Sequence, residues 1–317
     1  MKNKQFSKHG VRHVEVDRES DGQRIDNFLL RELKGIPRTR IYRLLRKGEV
    51  RVNGGRARPS QRVVAGDKVR IPPLRIEDRP AVGAAPGRLE QLRQQVIFEN
   101  GDFLVIDKPS GMAVHGGSGI SLGVIEILRQ DSKWAGLELA HRLDRSTSGC
   151  LVLAKKKSGL RWIHELLREG RVEKHYLALV RDQWQLGSKW IDAPLKTNTR
   201  RSGERHVTVD TAGKKARTYF VPQTFYREAT LMSVVLATGR THQIRVHAAH
   251  AGHPVAGDSR YGDSEFDRRM ERKRLRRLFL HAQALSFTTP SGDELMLSAP
   301  LPADLTRVLD RMKPKTR

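Results

Sequence analysis

The chain has 317 residues, 38% hydrophobic and 30% charged, enough to bury a substantial core in more than one domain. Its single cysteine excludes an internal disulfide framework and a CxxC-type metal site, and no apolar run approaches the ~18 residues of a membrane span. Sixty Lys and Arg against 35 Asp and Glu leave a formal charge of +25, a field that recruits polyanions, nucleic acid foremost.

Residues 1 to about 16 are polar and basic, without a signal-peptide core, and read as a flexible leader on a cytoplasmic protein. Ile25, Phe28, Leu29 and Leu33 then fall at helical spacing, with Asp21 available as a cap. After Gly35-Ile36-Pro37 the spacing predicts a second helix, Arg38 to Lys47. Its apolar face is Ile41, Leu44 and Leu45, and Gly48 follows where a left-handed stop belongs. Val50 and Val52 alternate with polar residues up to Asn53-Gly54, a tight-turn signal, and Lys68 to Ile71 reads as a further strand.

On its residues this module is a charged, solvated unit or a nucleic-acid binder. Gln23-Arg24-Ile25-Asp26-Asn27-Phe28-Leu29, Arg46-Lys47-Gly48-Glu49-Val50, Arg51-Val52-Asn53 and Ala65-Gly66-Asp67 resemble the S4 RNA-binding domain. Residues 17–73 carry 15 Lys and Arg against 7 Asp and Glu, a net +8. The resemblance implies phosphate contacts from the second helix, by Arg38, Arg40, Arg43, Arg46 and Lys47. Residues 74–93, rich in Pro, Gly, Ala and Arg, read as a linker, and a larger domain spans 94–317.

In that domain Phe103 to Ile106 is a short buried strand, halted by Lys108-Pro109-Ser110-Gly111. The loop His115-Gly116-Gly117-Ser118-Gly119 is either an anion cradle or a plain turn. Residues 121–130 suggest an amphipathic helix, Cys150 to Ala154 a strand covered on both faces, and Ser158 to Arg168 another helix. Cys150, inside that strand, reads as a core thiol. Strands are expected over Lys174–Val180, Arg205–Asp210, Ala216–Phe225, Thr230–Ala237, Leu280–Thr288 and Leu295–Leu297. Helices are expected after a Thr241 cap and around Leu305, Val308, Leu309 and Met312. Arg260 to Arg277 is a charged loop plus helix, a solvated face or a second RNA contact. The order lacks βαβ alternation, so the fold class is α+β, a mixed, mainly antiparallel sheet flanked by helices.

His242, His247, His250, His253 and His281 match no zinc spacing, and no P-loop, GxGxxG after a strand, or GxSxG elbow occurs. No metal and no cofactor is expected, so the chemistry falls to side chains. Asp144, between Arg142 and Arg145 on a turn feeding a buried strand, suits a nucleophile and equally a structural ion pair.

His141-Arg142-Leu143-Asp144 with Thr147-Ser148-Gly149 resembles the central motif of the RluA family of RNA pseudouridine synthases. Lys108-Pro109-Ser110-Gly111, Lys174-His175-Tyr176, Gly239 through His247, Gly257-Asp258 with Tyr261-Gly262, and Arg277 through Ala282 resemble further motifs of that family. Ser146 stands where members often carry an acid. The resemblance implies isomerisation of uridine to pseudouridine in large-subunit (23S) ribosomal RNA or its precursor; nothing in the sequence obliges a dimer, and a monomer is expected. Asp144 is then the catalytic carboxylate, Arg245 its partner, and Tyr176 a platform under a flipped base. Arg142 would fill the gap the base leaves. The contrasting expectation is a non-catalytic RNA-binding or ribosome-assembly factor on the same fold. A metal-dependent nuclease would require clustered carboxylates absent here.

Overall fold

The computed structural model describes residues 6–33, 36, 38–77, 85, 87–116, 122–199 and 205–314. The chain divides into two compact units, Met1–Val82 and Gly83–Arg317.

The first unit runs β1 (Phe6–His9), β2 (Arg12–Glu15), α1 (Ile25–Glu32), α2 (Arg38–Lys47), β3 (Arg51–Val52), β4 (Gly55–Arg56), β5 (Lys68–Ile71) and β6 (Leu74–Glu77). Ile25, Phe28, Leu29 and Leu33 recur at helical spacing, so α1 buries one face. That face shares a core with Ile41, Leu44 and Leu45 of α2. α2 occupies the expected residues, and Gly48 closes it at a φ of 71°. Asn53 and Gly54, at φ 49° and 81°, make the left-handed pair that a two-residue hairpin between β3 and β4 requires. A buried Asp26 ties the helices together: Arg24 donates to it twice, at 3.1 and 2.8 Å, and the Tyr42 hydroxyl once. Burial alone would raise the Asp26 pKa, but these bonds outweigh it and hold the carboxyl below its ordinary range.

Two expectations fail in this unit. Residues 6–15 are strands and not a leader: β2 pairs with β5 in a four-stranded sheet of order β2-β5-β3-β4, and β1 pairs with β6. Strands of four residues with one half-buried face carry too few apolar side chains to announce themselves. Asp21 does not cap α1, which begins one turn later with Arg24 at its N-cap. Asp21 accepts the Ala65 N–H instead, at 3.0 Å. The expected linker is partly regular, since β6 and the first helix of the next unit fall inside it, while residues 78–84 and 86 lie outside the described residues. So do Gly35 and Pro37 of the interhelix break.

The second unit continues with α3 (Arg88–Arg93), β7 (Val96–Glu99), β8 (Phe103–Lys108), α4 (Val124–Leu128), β9 (Glu138–Leu139), β10 (Ser148–Ala154), α5 (Lys157–Glu169) and β11 (Glu173–Arg181). Then come β12 (Lys189–Asp192), β13 (Leu195–Thr199), β14 (Arg205–Val209), β15 (Arg217–Phe225), β16 (Ala229–Leu236), α6 (Gln243–His250), α7 (Ser264–Arg272), β17 (Leu280–Thr288), β18 (Glu294–Ser298) and α8 (Ala303–Asp310). A ten-stranded sheet follows the order β12-β15-β16-β11-β17-β10-β8-β7, with β18 on β17 and β9 on β10. It is mixed and mainly antiparallel: among the described residues its one parallel pairing is β10 with β17, through Ser148–His281 and Gly149–Ala282. β10 is buried along its whole length, which accounts for its unbroken apolar run. The helix expected over 121–130 shrinks to α4, because Asp131 caps a separate turn by accepting the Lys133 N–H at 2.9 Å.

One glycine fixes the parallel seam. Gly149 has a φ of 112°, and a Cβ there would lie 2.2 Å from the Ala282 carbonyl oxygen. Only a residue without a side chain lets the two strands approach so closely.

Candidate active site

Asp144 sits on the turn that enters this seam, and the turn is held from three directions. His141 anchors its start, accepting the Val152 N–H on Nε2 at 3.0 Å. Burial brings the His141 pKa down to about 4, so the ring stays neutral and keeps its acceptor. The Asp144 carbonyl closes the turn by accepting the Thr147 N–H at 3.1 Å. The Lys108-Pro109-Ser110-Gly111 loop then clamps the turn from below. Gly111 N–H donates to the Arg145 carbonyl at 2.8 Å, and the Ser110 hydroxyl to the Ser146 carbonyl at 2.7 Å.

Lys108 stitches the two loops together. Its fully buried Nζ donates to the carbonyls of Pro109 and Met112 at 2.9 Å each, and to Arg145 at 3.4 Å. Burial pulls its pKa down to about 7, against the attraction of Asp144 and Asp107. At the far end of the turn the Ser148 hydroxyl bonds His281 Nδ1 at 2.9 Å and accepts from Arg277 at 3.1 Å.

The Asp144 side chain is 17% exposed and faces an open cleft of about 550 Å³, counting its mouth. Arg142, Tyr176 and Arg245 line the same cleft, with Leu236, Ile244 and Leu280 as its apolar surface. Tyr176 projects from β11 and is 8% exposed; burial pushes its hydroxyl pKa up, and Asp144 adds to the effect. Among the described residues that hydroxyl makes no hydrogen bond. Arg142 is exposed at the rim.

Arg245 comes from α6, which begins at Gln243. The N-cap position is His242, left-handed at φ 54°, and not the expected Thr241. Gln243 organises this entry with both ends of its amide. Its oxygen accepts from the Thr238 hydroxyl and the Arg240 N–H, at 2.7 and 3.0 Å. Its nitrogen donates to the Arg217 carbonyl and the Thr218 hydroxyl, at 3.0 and 2.9 Å. Arg245 was expected to pair with Asp144, and Nη1 does approach Asp144 Oδ2 at 3.6 Å. Its tight partner is Asp258, reached by Nε at 2.7 Å and Nη2 at 2.6 Å. Burial opposes both charges, but the fork-on-carboxylate bonds outweigh it, so Arg245 stays charged and Asp258 lies below the ordinary carboxylate range.

Asp258, Tyr261 and His242 received no role from the sequence. The Tyr261 ring lies under the Arg245 guanidinium, 5.0 Å from its Cζ. The Tyr261 hydroxyl accepts the Val207 N–H at 3.0 Å and lies 2.8 Å from His242 Nδ1. On the other side of the ring, Nε2 is 4.0 Å from Asp144 Oδ2, an acceptor that favours the proton on that nitrogen. Nδ1 then accepts the Tyr261 hydroxyl proton. Burial brings the His242 pKa down to about 4 despite the attraction of Asp144, so the ring is neutral. The sequence signal for the set was Gly257-Asp258 with Tyr261-Gly262, noted as a motif but not as a scaffold.

His247, His281 and His253 brace the fold. His247 accepts from the Thr218 hydroxyl and donates to the Ala193 carbonyl, at 2.9 Å each. His281 bonds the Ala299 carbonyl at 3.1 Å, and His253 the Arg181 carbonyl at 2.8 Å. Among the described residues no three His, Cys, Asp or Glu side chains cluster as metal ligands. Cys150 is a buried core thiol, pushed up to about 12 by burial. Of the glycine-rich loop, Gly116 already donates to Glu126 at 3.0 Å, while Gly117 to Gly119 lie outside the described residues. On α2, Arg43, Arg46 and Lys47 are exposed and Arg40 half-buried; the Arg38 side chain lies outside the described residues.

A carboxylate held beside a buried arginine, with a tyrosine lining the same solvent-open cleft, fits a reaction on a flat base and its sugar. Comparison with known proteins agrees. Residues 102–250 match the RNA pseudouridylate synthase family, and residues 23–69 the S4 domain. The chain belongs to the RNA pseudouridylate synthases, with an S4 domain in front.

It is 48% identical over 318 residues to ribosomal large subunit pseudouridine synthase C of Pasteurella multocida, which covers 98% of this chain and 97% of that protein. It is 50% identical over 311 residues to the protein of the same name from Escherichia coli K12, covering 96% and 97%. Among solved structures, Human RNA Pseudouridylate Synthase Domain Containing 4 superposes with a TM-score of 0.60 at 25% identity, covering 72% of this chain and 96% of that one.

Proposed function

We propose that the protein isomerises uridines of large-subunit ribosomal RNA to pseudouridine, with Asp144 as the acting carboxylate. The observation that carries this reading is the cleft in which Asp144 lies 3.6 Å from Arg245, with Tyr176 among its lining residues. The reaction breaks the N1–C1′ bond of uridine, turns the base and joins C5 to C1′; C5 loses its proton and N1 regains one. Nothing is oxidised or reduced. Asp144 acts at the sugar, as nucleophile at C1′ or as the base that takes the C2′ proton. Arg245, kept charged by Asp258, stands 3.6 Å from the Asp144 carboxylate as its counter-charge. Tyr176 offers its ring to the extruded base, and its high pKa keeps the hydroxyl protonated as a donor. Arg142, exposed at the rim, fills the space the base vacates, at an unstacking cost of a few kcal/mol.

In the S4 domain, Arg38, Arg40, Arg43, Arg46 and Lys47 contact RNA phosphates and supply affinity. The names of the relatives support large-subunit RNA as the substrate. A monomer suffices, because Asp144, Tyr176 and Arg245 come from one chain, and action on ribosomal RNA places the enzyme in the cytoplasm.

The test is tritium release from large-subunit RNA labelled at uridine C5, with wild type beside Asp144→Asn. Release by wild type alone, with RNA binding retained in the variant, is the expected result. Ordinary release by Asp144→Asn overturns the assignment of Asp144. Release by neither, on naked RNA and on folded subunits alike, favours a binding factor.

A further inference from the structure

We propose that the end of α7 and the segment after it, Arg272 to Arg276, form a second RNA-backbone contact on the catalytic unit itself. The proposal rests on the RNA-modifying reading above and names a surface that reading does not use.

The segment is a lobe rooted at the site. Its base closes where Gly257 meets Arg277: a Cβ on Gly257 would lie 2.2 Å from the Arg277 carbonyl oxygen. Both sides of that base touch the candidate active site. Asp258, next to Gly257, holds Arg245, and Arg277 donates to Ser148 at the end of the Asp144 turn. Phe266 and Met270 are fully buried, so the helix is fixed to the core and its charged face cannot swing away.

Arginines in this region fall into two groups. Arg181, Arg269 and Arg277 are matched, to Asp263, to Glu228 and Glu265, and to Asp304. Arg272, Lys273, Arg274 and Arg276 make no side-chain hydrogen bond or ion pair among the described residues; the three arginines are exposed and Lys273 half so. Four like charges within five residues repel one another and weaken the fold. The negative end of the α7 dipole offsets that for the last turn only.

The backbone gives a second indication. α7 ends with Leu275 N–H donating to the Met270 carbonyl at 3.1 Å, the closure that usually places glycine at the left-handed position before it. Here that residue is Arg274, at φ 69°. A cation stands where an uncharged glycine would be less strained. A polyanion passing the mouth of the cleft supplies the missing counter-charge, and Arg276 lies one residue from the Arg277–Ser148 contact.

The test compares full-length wild type with Arg272→Gln/Lys273→Gln/Arg276→Gln, and with Arg272→Glu/Arg276→Glu, for binding to naked large-subunit RNA over a range of salt. Each lost phosphate contact flattens the slope of log affinity against log salt by about 0.7 to 0.9. The glutamine variant should flatten it by about 2, bind about ten-fold more weakly at low salt, and keep the wild-type melting temperature and kcat at saturating RNA. The glutamate variant should bind more weakly still. A slope and affinity equal to wild type in both variants would overturn the proposal and leave the segment a solvated face. Weaker binding to folded subunits with unchanged binding to naked RNA would also overturn it, in favour of a protein partner. Absence of tritium release by wild type would sink the isomerase reading but leave these binding slopes to stand or fall by themselves.

Discussion

Arg245 gives its two shortest hydrogen bonds to Asp258, at 2.7 and 2.6 Å, and reaches Asp144 only at 3.6 Å. Asp258 is buried and also accepts the N–H groups of Arg260 and Tyr261, at 3.0 and 3.1 Å. It therefore fixes the guanidinium and leaves one edge free to face the cleft, so the charge beside Asp144 is set by a residue that does not line the cleft.

Asp258→Asn should accordingly harm catalysis without removing any group from the cleft. Breaking one partner of a buried pair costs about 3 kcal/mol of stability. A guanidinium displaced by an ångström lowers kcat by about 10²-fold with little change in KM. Stopped assays at saturating RNA, with thermal melts in parallel, check both. An unchanged kcat would show that Arg245 needs no support from Asp258.

Tyr261→Phe keeps the ring under Arg245 and deletes only the hydroxyl that sets the His242 tautomer. Nitrogen-15 spectra of the wild type should show His242 neutral with its proton on Nε2, and the variant should lose that preference. kcat should fall about 10²-fold, the lower end of one positioned proton donor's worth, at constant KM. The pH sense follows from the burial of His242, whose folded pKa of about 4 lies below the ~6.5 of an unfolded histidine. Between those values the unfolded chain binds a proton that the folded chain refuses. Stability from this residue is thus complete above pH ~6.5 and declines as pH falls toward 4. A His242 resonance that titrates near 6.5 in the folded protein would contradict the assignment.

Gly149→Ala tests the seam. Its Cβ would press on the Ala282 carbonyl at 2.2 Å, from a φ of 112° that alanine avoids. The expected loss is about 3 kcal/mol, the upper end of overpacking in a filled core, with lower kcat because the Asp144 turn moves with the strand. Urea melts and turnover of the same preparation measure both effects. A variant as stable and active as wild type would mean that β10 and β17 can part without consequence.

Much of this molecule was legible in the order of its residues. α2 falls where its helical spacing put it, because a helix that buries one face repeats its apolar residues, and β17 occupies the expected Leu280–Thr288. Asp144, Tyr176, Arg142 and Arg245 were each singled out, and they meet in one cleft. Pairing was harder to foresee. Arg245 has two carboxylates within 4 Å, and only distance tells which is the anchor. Lys108 looked like a strand terminator, because nothing local betrays a lysine whose donors point at three carbonyls of two loops. β1 and β2 were missed since strands of four residues are too short for periodicity to detect.

The parallel pairing of β10 with β17 also dictates when the protein can begin to work. Ser148 and His281, which meet across it, are 133 residues apart in the chain. During synthesis the turn bearing Asp144 emerges long before the strand that braces it, and at about 5–20 residues per second the interval is on the order of ten seconds. Loop closure over such a span is slow, and the local contacts of the earlier strands cannot substitute for it. A chain cut short before β17 therefore carries Asp144, Tyr176 and Arg245 without the seam that braces the Asp144 turn. Activity arrives late, with about the last eighth of the chain from Leu280 onward, and truncation there should disable the enzyme as surely as mutation of the carboxylate.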